Sequence, residues 1–150
     1  MRISIAAALA LLSAATLSAQ AISTDLATAT PITGNWSYAA TADGSEAVFS
    51  SSFPQLWVHC VRSTRRVSIA KAATAAAPFV NVWTSSLTQS VAAIFNPATG
   101  RLSIELGAFD PLLDAITSSR GRVGFSVANQ PALVVPPWAE AARVIEDCRA

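Results

Sequence analysis

Two cysteines, Cys60 and Cys148, constrain the fold of this chain more than any other feature, and they are its only cysteines. In an exported protein such a pair tends to form a disulfide, and two separate buried thiols are the alternative. The bond would join the early strands to the last helix. On chain-entropy grounds it would stabilise the fold by roughly 4–5 kcal/mol.

The amino terminus predicts export. Met1-Arg2 is a short cationic start, an almost uninterrupted apolar run follows over 3–17, and Ala19-Gln20-Ala21 has the small-x-small pattern that signal peptidase reads. No second apolar run reaches the roughly 18 residues that a membrane-spanning helix needs. We therefore expect a periplasmic or secreted protein with no transmembrane span in the mature chain. Its predicted parts are a signal peptide, a flexible leader and a single β-rich domain, at 1–21, 22–33 and 34–150.

The charge balance argues against several classes of function. Removal of Arg2 with the signal peptide leaves nine of the ten Lys and Arg residues, and these match nine Asp and Glu residues. Nucleic-acid binders, polybasic membrane clamps and acidic chaperones depend on a large net charge of one sign. The near-neutral mature chain is therefore not expected to bind nucleic acid.

Alternation of apolar and polar residues predicts a mainly β fold, an antiparallel β-sandwich or barrel. Asp43-Gly44 is a hairpin signal between the first two strands. The Ala-rich segment 71–78 fits either a helical turn or a loop. Strands are predicted at 34–39, 47–49, 56–61, 66–70, 79–83, 90–95, 101–106, 122–127 and 132–135.

Two short helices are predicted at about 110–119 and 137–149. Asp110 and Pro111 supply the side-chain acceptor and the proline that open the first helix. In the second helix Arg143 is placed to pair with Asp147, four residues on. The second helix carries an apolar stripe of Trp138, Ala141, Ala142, Ile145 and Cys148.

Both thiols are predicted to face the same core. Cys60 shares one side of its strand with Leu56 and Val58, while Cys148 lies on the apolar stripe of the last helix. The one-disulfide prediction therefore agrees with the predicted faces of both elements.

The sequence offers no credible catalytic set. His59 is the only histidine, and it is expected to be a partly exposed strand residue on the opposite side from Cys60. No Gly-x-Ser-x-Gly elbow accompanies it. Asp110 and Asp114 are better explained as a helix cap and a solvated helix side than as a glycosidase pair. No catalytic residue, metal site or cofactor is therefore predicted.

Candidate partner-binding residues lie in three places on the predicted surface. The first is a cationic turn that suits an anionic partner or a headgroup surface, unless it is only a solvated hairpin end. The second is a pair of arginines expected to bind Asp110 or Asp114, with recognition of a ligand carboxylate as the alternative. The third is the outward side of the third strand. The residues are Arg62, Arg65, Arg66 and Lys71, then Arg120 and Arg122, then Trp57 and His59.

The four tryptophans raise the possibility of an aromatic binding groove. Core packing is the expectation for at least two of them, Trp36 and Trp138. Trp57 and Trp83 are the other two.

Several short motifs together resemble the small exported accessory proteins associated with type VI secretion. The motifs are Trp36 after a glycine, Leu56-x-Val58-x-Cys60, Thr64, Val67-x-Ile69, Trp83-x-Ser85 and the final cysteine. The resemblance implies a shared fold and disulfide. The chain departs from the family pattern because Val58-His59-Cys60 lacks the basic residue usual before the cysteine, and because Arg149-Ala150 replaces an aromatic ending.

The sequence as a whole predicts an exported, non-catalytic binding or accessory protein. Its expected partner is an envelope protein, and the resemblance implies association with the envelope or a secretion system. One alternative is a small envelope hydrolase that uses His59, and another is an inhibitor of lytic enzymes.

Overall fold

The computed structural model describes residues 25–137 and 139–150. The predicted signal peptide, the first three residues of the predicted leader and Trp138 lie outside the described residues. Within them the chain forms β1 (Asn35–Ala40), β2 (Gly44–Ser50), β3 (Pro54–Val61), β4 (Arg66–Ala72), β5 (Phe79–Trp83), β6 (Thr88–Ala92), β7 (Ile94–Asn96), β8 (Arg101–Gly107), α1 (Pro111–Thr117), β9 (Val123–Ser126), β10 (Leu133–Val135) and α2 (Ala139–Arg149).

The strands form two antiparallel sheets. A six-stranded sheet has the order β1-β2-β3-β4-β8-β7, and a four-stranded sheet has the order β10-β9-β5-β6. The predicted mainly β, antiparallel fold with two short helices and one disulfide is thereby confirmed. The inner faces of both sheets contribute to one apolar core, which α1 and α2 complete.

The hairpin predicted at Asp43-Gly44 joins β1 to β2. A side chain at Gly44 would overlap the carbonyl oxygen of Cys60 on the neighbouring strand, so the close approach of β3 requires glycine here. The backbone N–H of Arg62 donates to the Asp43 carbonyl at 2.9 Å. The turn is thus fixed to the end of β3 as well as to its own strands.

The disulfide between Cys60 and Cys148 ties α2 to the six-stranded sheet. The two Cα atoms are 5.5 Å apart, and both residues are fully buried. Strand alternation places Cys60 on the core face of β3, while Cys148 lies on the buried side of α2. The crosslink therefore lies inside the core.

Helix α1 begins as predicted and ends earlier. The N–H of Leu112 donates to the Asp110 side chain at 2.9 Å, and Pro111 occupies the first turn. The helix ends at Thr117, before the predicted limit. Gly121 follows with a φ of 74° and leads the chain toward β9.

Helix α2 shows two differences from the predicted pattern. Val144 is fully buried, whereas Ala142 is only half-buried. Arg143 does not form the predicted direct ion pair with Asp147, and both side chains contact Tyr38 of β1. The hydrogen bond from Tyr38 and, to a smaller extent, the charge of Arg143 lower the pKa of Asp147. The Arg143 guanidinium lies 4.0 Å from the centre of the Tyr38 ring, and the Tyr38 hydroxyl donates to Asp147 at 2.7 Å.

The strand predicted at 90–95 is two strands in different sheets. β6 pairs with β5 in the four-stranded sheet, and β7 pairs with β8 in the six-stranded sheet. Between them the N–H of Ala93 donates to the Pro78 carbonyl at 2.9 Å. Periodicity could not reveal this break because β6 and β7 are contiguous except for one residue. The open question over 71–78 is also resolved, since β4 continues to Ala72 and a loop follows.

The part of the predicted leader that the structure describes, over 25–33, contacts the four-stranded sheet. Arg122 Nη1 donates to the carbonyls of Ala27 and Ala29, at 2.8 and 2.9 Å. The Ile32 N–H donates to the Val134 carbonyl on β10 at 2.9 Å. Leu26 also packs against Gly124 of β9. These contacts hold the segment against the four-stranded sheet.

Replacing both cysteines (Cys60→Ala with Cys148→Ala) is expected to lower the free energy of unfolding by roughly 4–5 kcal/mol, because the long loop closure is lost. Denaturant titration without reductant measures this. Reductant should destabilise the wild type by a similar amount and leave the double variant unchanged. A double variant as stable as the wild type would mean that packing alone holds α2.

Tyr38→Phe tests the hydrogen bond between β1 and α2. The Tyr38 hydroxyl holds the pKa of Asp147 below its ordinary value of 3.8, so the bond stabilises the fold above that pH and is lost as the pH falls through the folded pKa. The expected cost at neutral pH is about 1 kcal/mol, limited by solvent screening at Asp147.

Denaturant titrations of Tyr38→Phe at neutral and strongly acidic pH measure this difference. The difference in the free energy of unfolding between the variant and the wild type should become smaller at strongly acidic pH. The double variant with Tyr38→Phe and Asp147→Asn should lose little more free energy of unfolding than either single variant. A gap that is the same at both pH values would instead assign the effect to packing of the Tyr38 ring.

Candidate functional site

The outer face of the six-stranded sheet brings together the most chemically varied side chains of the described residues. The side chains that alternate with the core residues of β2, β3, β4 and β8 all project from this face. Cross-strand pairing puts Glu46, His59, Ser68 and Glu105 in one row and Trp57, Ala70 and Ser103 in the next. We call these residues, together with Arg101, the outer face.

The outer face contains a shallow depression of about 380 Å³. Its floor lies over β4 and β8, where the side chains of Ser68, Ala70 and Ser103 are small. Trp57 and His59 project from β3 on one side, and Arg101 projects from β8 on the other. The concavity follows from small residues in the middle of the sheet and large ones on both sides.

Trp57 and Arg101 form a stacked pair within this depression. The guanidinium carbon of Arg101 lies 3.7 Å from the centre of the Trp57 ring, so the cation faces the negative face of the aromatic system. Arg101 belongs to β8 and Trp57 to β3, with β4 between them. The small side chain of Ala70 lets the long arginine side chain reach across β4.

His59 lies between two carboxylates. Its Nε2 atom is 3.1 Å from Asp43 Oδ2, and its Nδ1 atom is 3.8 Å from Glu46 Oε2. Nδ1 is buried and has no hydrogen-bond partner. The hydroxyl of Thr41 donates to the other oxygen of Asp43, and this bond, followed by the one from His59, holds the pKa of Asp43 below its ordinary value.

The surroundings of His59 do not form a nucleophile–base pair. Ser68 lies opposite His59 on β4, yet among the described residues no serine, threonine or cysteine side chain hydrogen-bonds to the imidazole. The Asp43 carboxylate lies within hydrogen-bond distance of Nε2, and the carboxylate of Glu46 faces Nδ1. The contact between His59 and Asp43 instead ties the turn that contains Asp43 to the outer face.

The cationic turn predicted around Arg62 is reduced to three exposed arginines, Arg62, Arg65 and Arg66. It connects β3 to β4, with Arg65 at a φ of 50°. Arg66 Nε lies 3.9 Å from Glu105 Oε2, so the turn adjoins the outer face.

Lys71 is not part of this cationic turn, which corrects the prediction. Only 7% of the residue is exposed, and it shares the inward side of β4 with Val67 and Ile69. Its Nζ donates to the Ala72 carbonyl at 3.1 Å, and burial lowers its pKa. Spacing along the sequence grouped Lys71 with the arginines, but strand alternation turns it inward.

Arg120 and Arg122 lie away from the outer face, and neither pairs with Asp110 or Asp114. Arg122 holds the carbonyls of the leader. Asp114 pairs instead with Arg149 of α2 at 2.7 Å. The side chain of Arg120 is exposed, while its backbone N–H donates to the Ser85 hydroxyl. The side chain of Arg122 therefore has a structural role, while recognition of a ligand by Arg120 stays a prediction.

The three described tryptophans do not line a common groove. Trp57 lies in the depression, whereas Trp36 packs against Phe49 with ring centres 5.5 Å apart and donates to the Pro136 carbonyl. Trp83 is on β5, in the other sheet. Trp138 is outside the described residues.

Sequence reasoning missed Asp43, Glu46, Arg101 and Glu105. Arg101 and Glu105 lie at outward positions of the strand predicted at 101–106, so alternation along that strand could have found them. The pairing of β4 with β8 could not be read from the sequence, and that pairing places Arg101 near Trp57. Over residues 25–137 and 139–150, no three His, Cys, Asp or Glu side chains form a group that could hold a metal ion.

Lys71→Met is expected to raise the free energy of unfolding at neutral pH by roughly 1 kcal/mol, because it removes the cost of burying an ammonium group. The folded pKa of Lys71 lies below the unfolded value of 10.5, so wild-type stability rises as the pH passes upward between the two values. The advantage of the variant should therefore shrink at alkaline pH.

Denaturant titration at neutral and alkaline pH measures the effect of Lys71→Met. The exposed Arg120→Met is the control, with an expected change below about 0.5 kcal/mol. If Lys71→Met destabilises the protein, the bond to the Ala72 carbonyl outweighs the desolvation of the ammonium group.

Comparison with known proteins gives no assignment for the outer face. No protein-family model, no curated protein and no solved structure matches the chain. The resemblance to type VI secretion-associated accessory proteins stays a hypothesis.

Proposed function

We propose that the protein is an exported, non-catalytic binding module and that the outer face is its recognition surface. The observation that carries the proposal is the Trp57–Arg101 stack, which lies in a depression lined by small and acidic side chains. Tryptophan and arginine are the residues most enriched among those that dominate binding energy at protein interfaces. A concave surface built around such a pair suits a protein partner.

Rigidity of the underlying sheet supports the same function. The inward neighbours of Trp57 and His59 on β3 are Leu56, Val58 and Cys60, which are almost completely buried. The crosslink to α2 constrains the same strand from within. A side chain on such a strand has little freedom to lose on binding, so less of the interaction energy is spent on ordering.

The mixed charge of the surface indicates the chemistry of the partner. Glu46 and Glu105 lie on the outer face together with Arg101, and the exposed arginines Arg62, Arg65 and Arg66 adjoin it. Charges of both signs at this spacing fit the varied polar surface of a folded protein better than a polyanion. Complementary placement of such charges would give specificity and orientation more than raw affinity.

The expected partner is an envelope protein. The disulfide is consistent with an oxidising compartment. No helix among the described residues is long and apolar enough to cross a membrane. Periplasmic or secreted localisation follows if the predicted signal peptide is cleaved, and the type VI resemblance points to a secretion-system component as one such partner. An inhibitor of lytic enzymes would be a special case of the same binding function.

The hydrolase alternative has one feature in its favour, the Asp43–His59 pair at 3.1 Å. A carboxylate that orients an imidazole is half of a nucleophilic site. The missing half is a nucleophile in hydrogen-bond contact with His59, and the described residues supply none. Binding is therefore the function that the geometry supports better.

Capture from envelope extract with matched variants tests the proposal. The wild type, Trp57→Ala, Arg101→Ala and the control Arg120→Ala are immobilised, and bound proteins are quantified at several salt concentrations. Loss of either member of the stack should weaken capture at least about tenfold, as expected for a residue that dominates binding energy. Arg120→Ala should bind like the wild type, since Arg120 is exposed and does not line the depression of the outer face.

Circular dichroism and reductant-free denaturation establish that each variant is folded. The proposal fails if the wild type captures nothing at any salt concentration. It also fails if a captured protein is retained equally by Trp57→Ala and Arg101→Ala.

A further inference from the structure

Strand β6 forms one edge of the four-stranded sheet, whose order is β10-β9-β5-β6. It runs antiparallel to β5 with Ser90 opposite Asn81. Four of its five residues are exposed and the fifth, Val91, is partly buried. The edge is therefore open to solvent along its length within the described part of the chain.

The hydrogen-bond pattern identifies which backbone groups face outward. Thr84 N–H donates to the Leu87 carbonyl at 2.9 Å at one end of the hairpin, and Ala93 N–H donates to the Pro78 carbonyl at the other. In an antiparallel pair, bonded residues alternate with non-bonded ones. The bonded residues of this strand are then 87, 89, 91 and 93. Those that direct N–H and C=O groups away from the sheet are Thr88, Ser90 and Ala92.

This edge lacks the features that usually prevent pairing with another chain. Natural edges are blunted by charged residues, prolines, bulges or covering segments. The residues of β6 are Thr, Gln, Ser, Val and Ala, with no charge and no proline, and the pairing with β5 shows no bulge. The opposite edge is different, because Ile32 of the leader bonds to Val134 of β10.

We propose that two copies of this chain associate through β6 in antiparallel orientation, which joins two four-stranded sheets into one of eight strands. With the twofold axis at Ser90, Ser90 pairs with Ser90 of the second copy, and Thr88 pairs with Ala92 of the second copy. Each such pair exchanges two backbone hydrogen bonds, six in all by this geometry.

The strand is complementary to itself. A twofold interface brings each residue against the same surface of the other copy, so a charge near the axis would face a like charge. All five side chains of β6 are uncharged, and no such repulsion arises. Phe79 of β5 lies opposite Ala92 of β6 and is 52% exposed, so it adds apolar surface beside the interface.

The inferred dimer leaves the outer face free, because that face belongs to the other sheet. Two copies would then present two recognition surfaces on one rigid body. This arrangement increases the avidity for a partner that carries repeated binding sites. The dimer does not depend on the proposed binding function. A single short strand buries little area, so the dimer is expected to be weak, with a dissociation constant in the micromolar range.

Sedimentation velocity of the full mature chain over a wide concentration range tests the dimer. The wild type should shift from monomer to dimer as its concentration rises. Ser90→Lys places two ammonium groups opposite each other and should weaken the association at least about tenfold. The control Ser37→Lys makes the same change on exposed β1, an edge of the other sheet, and should associate like the wild type.

A cysteine crosslink gives a second, independent measurement. In the inferred pairing the two Ser90 Cα atoms would be about 5.5 Å apart, within the range that a disulfide spans. Ser90→Cys should therefore form a covalent dimer on non-reducing gels, and Ser37→Cys should not. Trp57→Ala should dimerise like the wild type, which separates this inference from the proposed function.

Three results would overturn the inference. The first is a wild type that stays monomeric at all concentrations, as expected if β6 pairs only with a different protein. The second is a dimer that Ser90→Lys leaves intact. The third is a dimer that Ser37→Lys disrupts, because the interface would then lie on β1.

Discussion

The Cys60–Cys148 disulfide is the constraint on which the arrangement of the other elements depends. It fixes the last helix to the third strand, and the contacts of that helix follow from its position. Tyr38 reaches Asp147, and Arg149 bonds to Asp114, Glu146 and the Ala108 carbonyl. One covalent bond between positions distant in sequence thus places β1, α1 and the six-stranded sheet around a shared core.

The same alternation that builds this core also builds the candidate site. On β3 the residues at one parity are buried against α2 and the disulfide, and those at the other parity project outward as Trp57 and His59. Core packing therefore determines where these two side chains point. Any change that shifts the register of β3 by one residue would exchange the two sets, so fold and recognition surface cannot vary independently.

Local patterns predicted most of the fold, and long-range pairing explains what they missed. The cap at Asp110, the strand at 101–106 and the facing thiols each follow from spacing within one element. The position of Arg101 depends on β8 pairing with β4, which no local pattern encodes. Lys71 shows a related limit. Charge clustering along the sequence groups it with the exposed arginines, whereas alternation along β4 places it on the inward side.

The two edges of the four-stranded sheet differ in what covers them, and this difference follows from the path of the chain. The leader crosses the four-stranded sheet and bonds to β10, with Arg122 holding its carbonyls. After β6 the chain leaves that sheet at Ala93 and enters β7 of the other, so no segment that follows immediately can cover the β6 edge. An uncharged edge whose backbone N–H and C=O groups have no protein partner is a template for pairing with another strand. Association through β6 would satisfy those groups while leaving the opposite, outer face available for a partner.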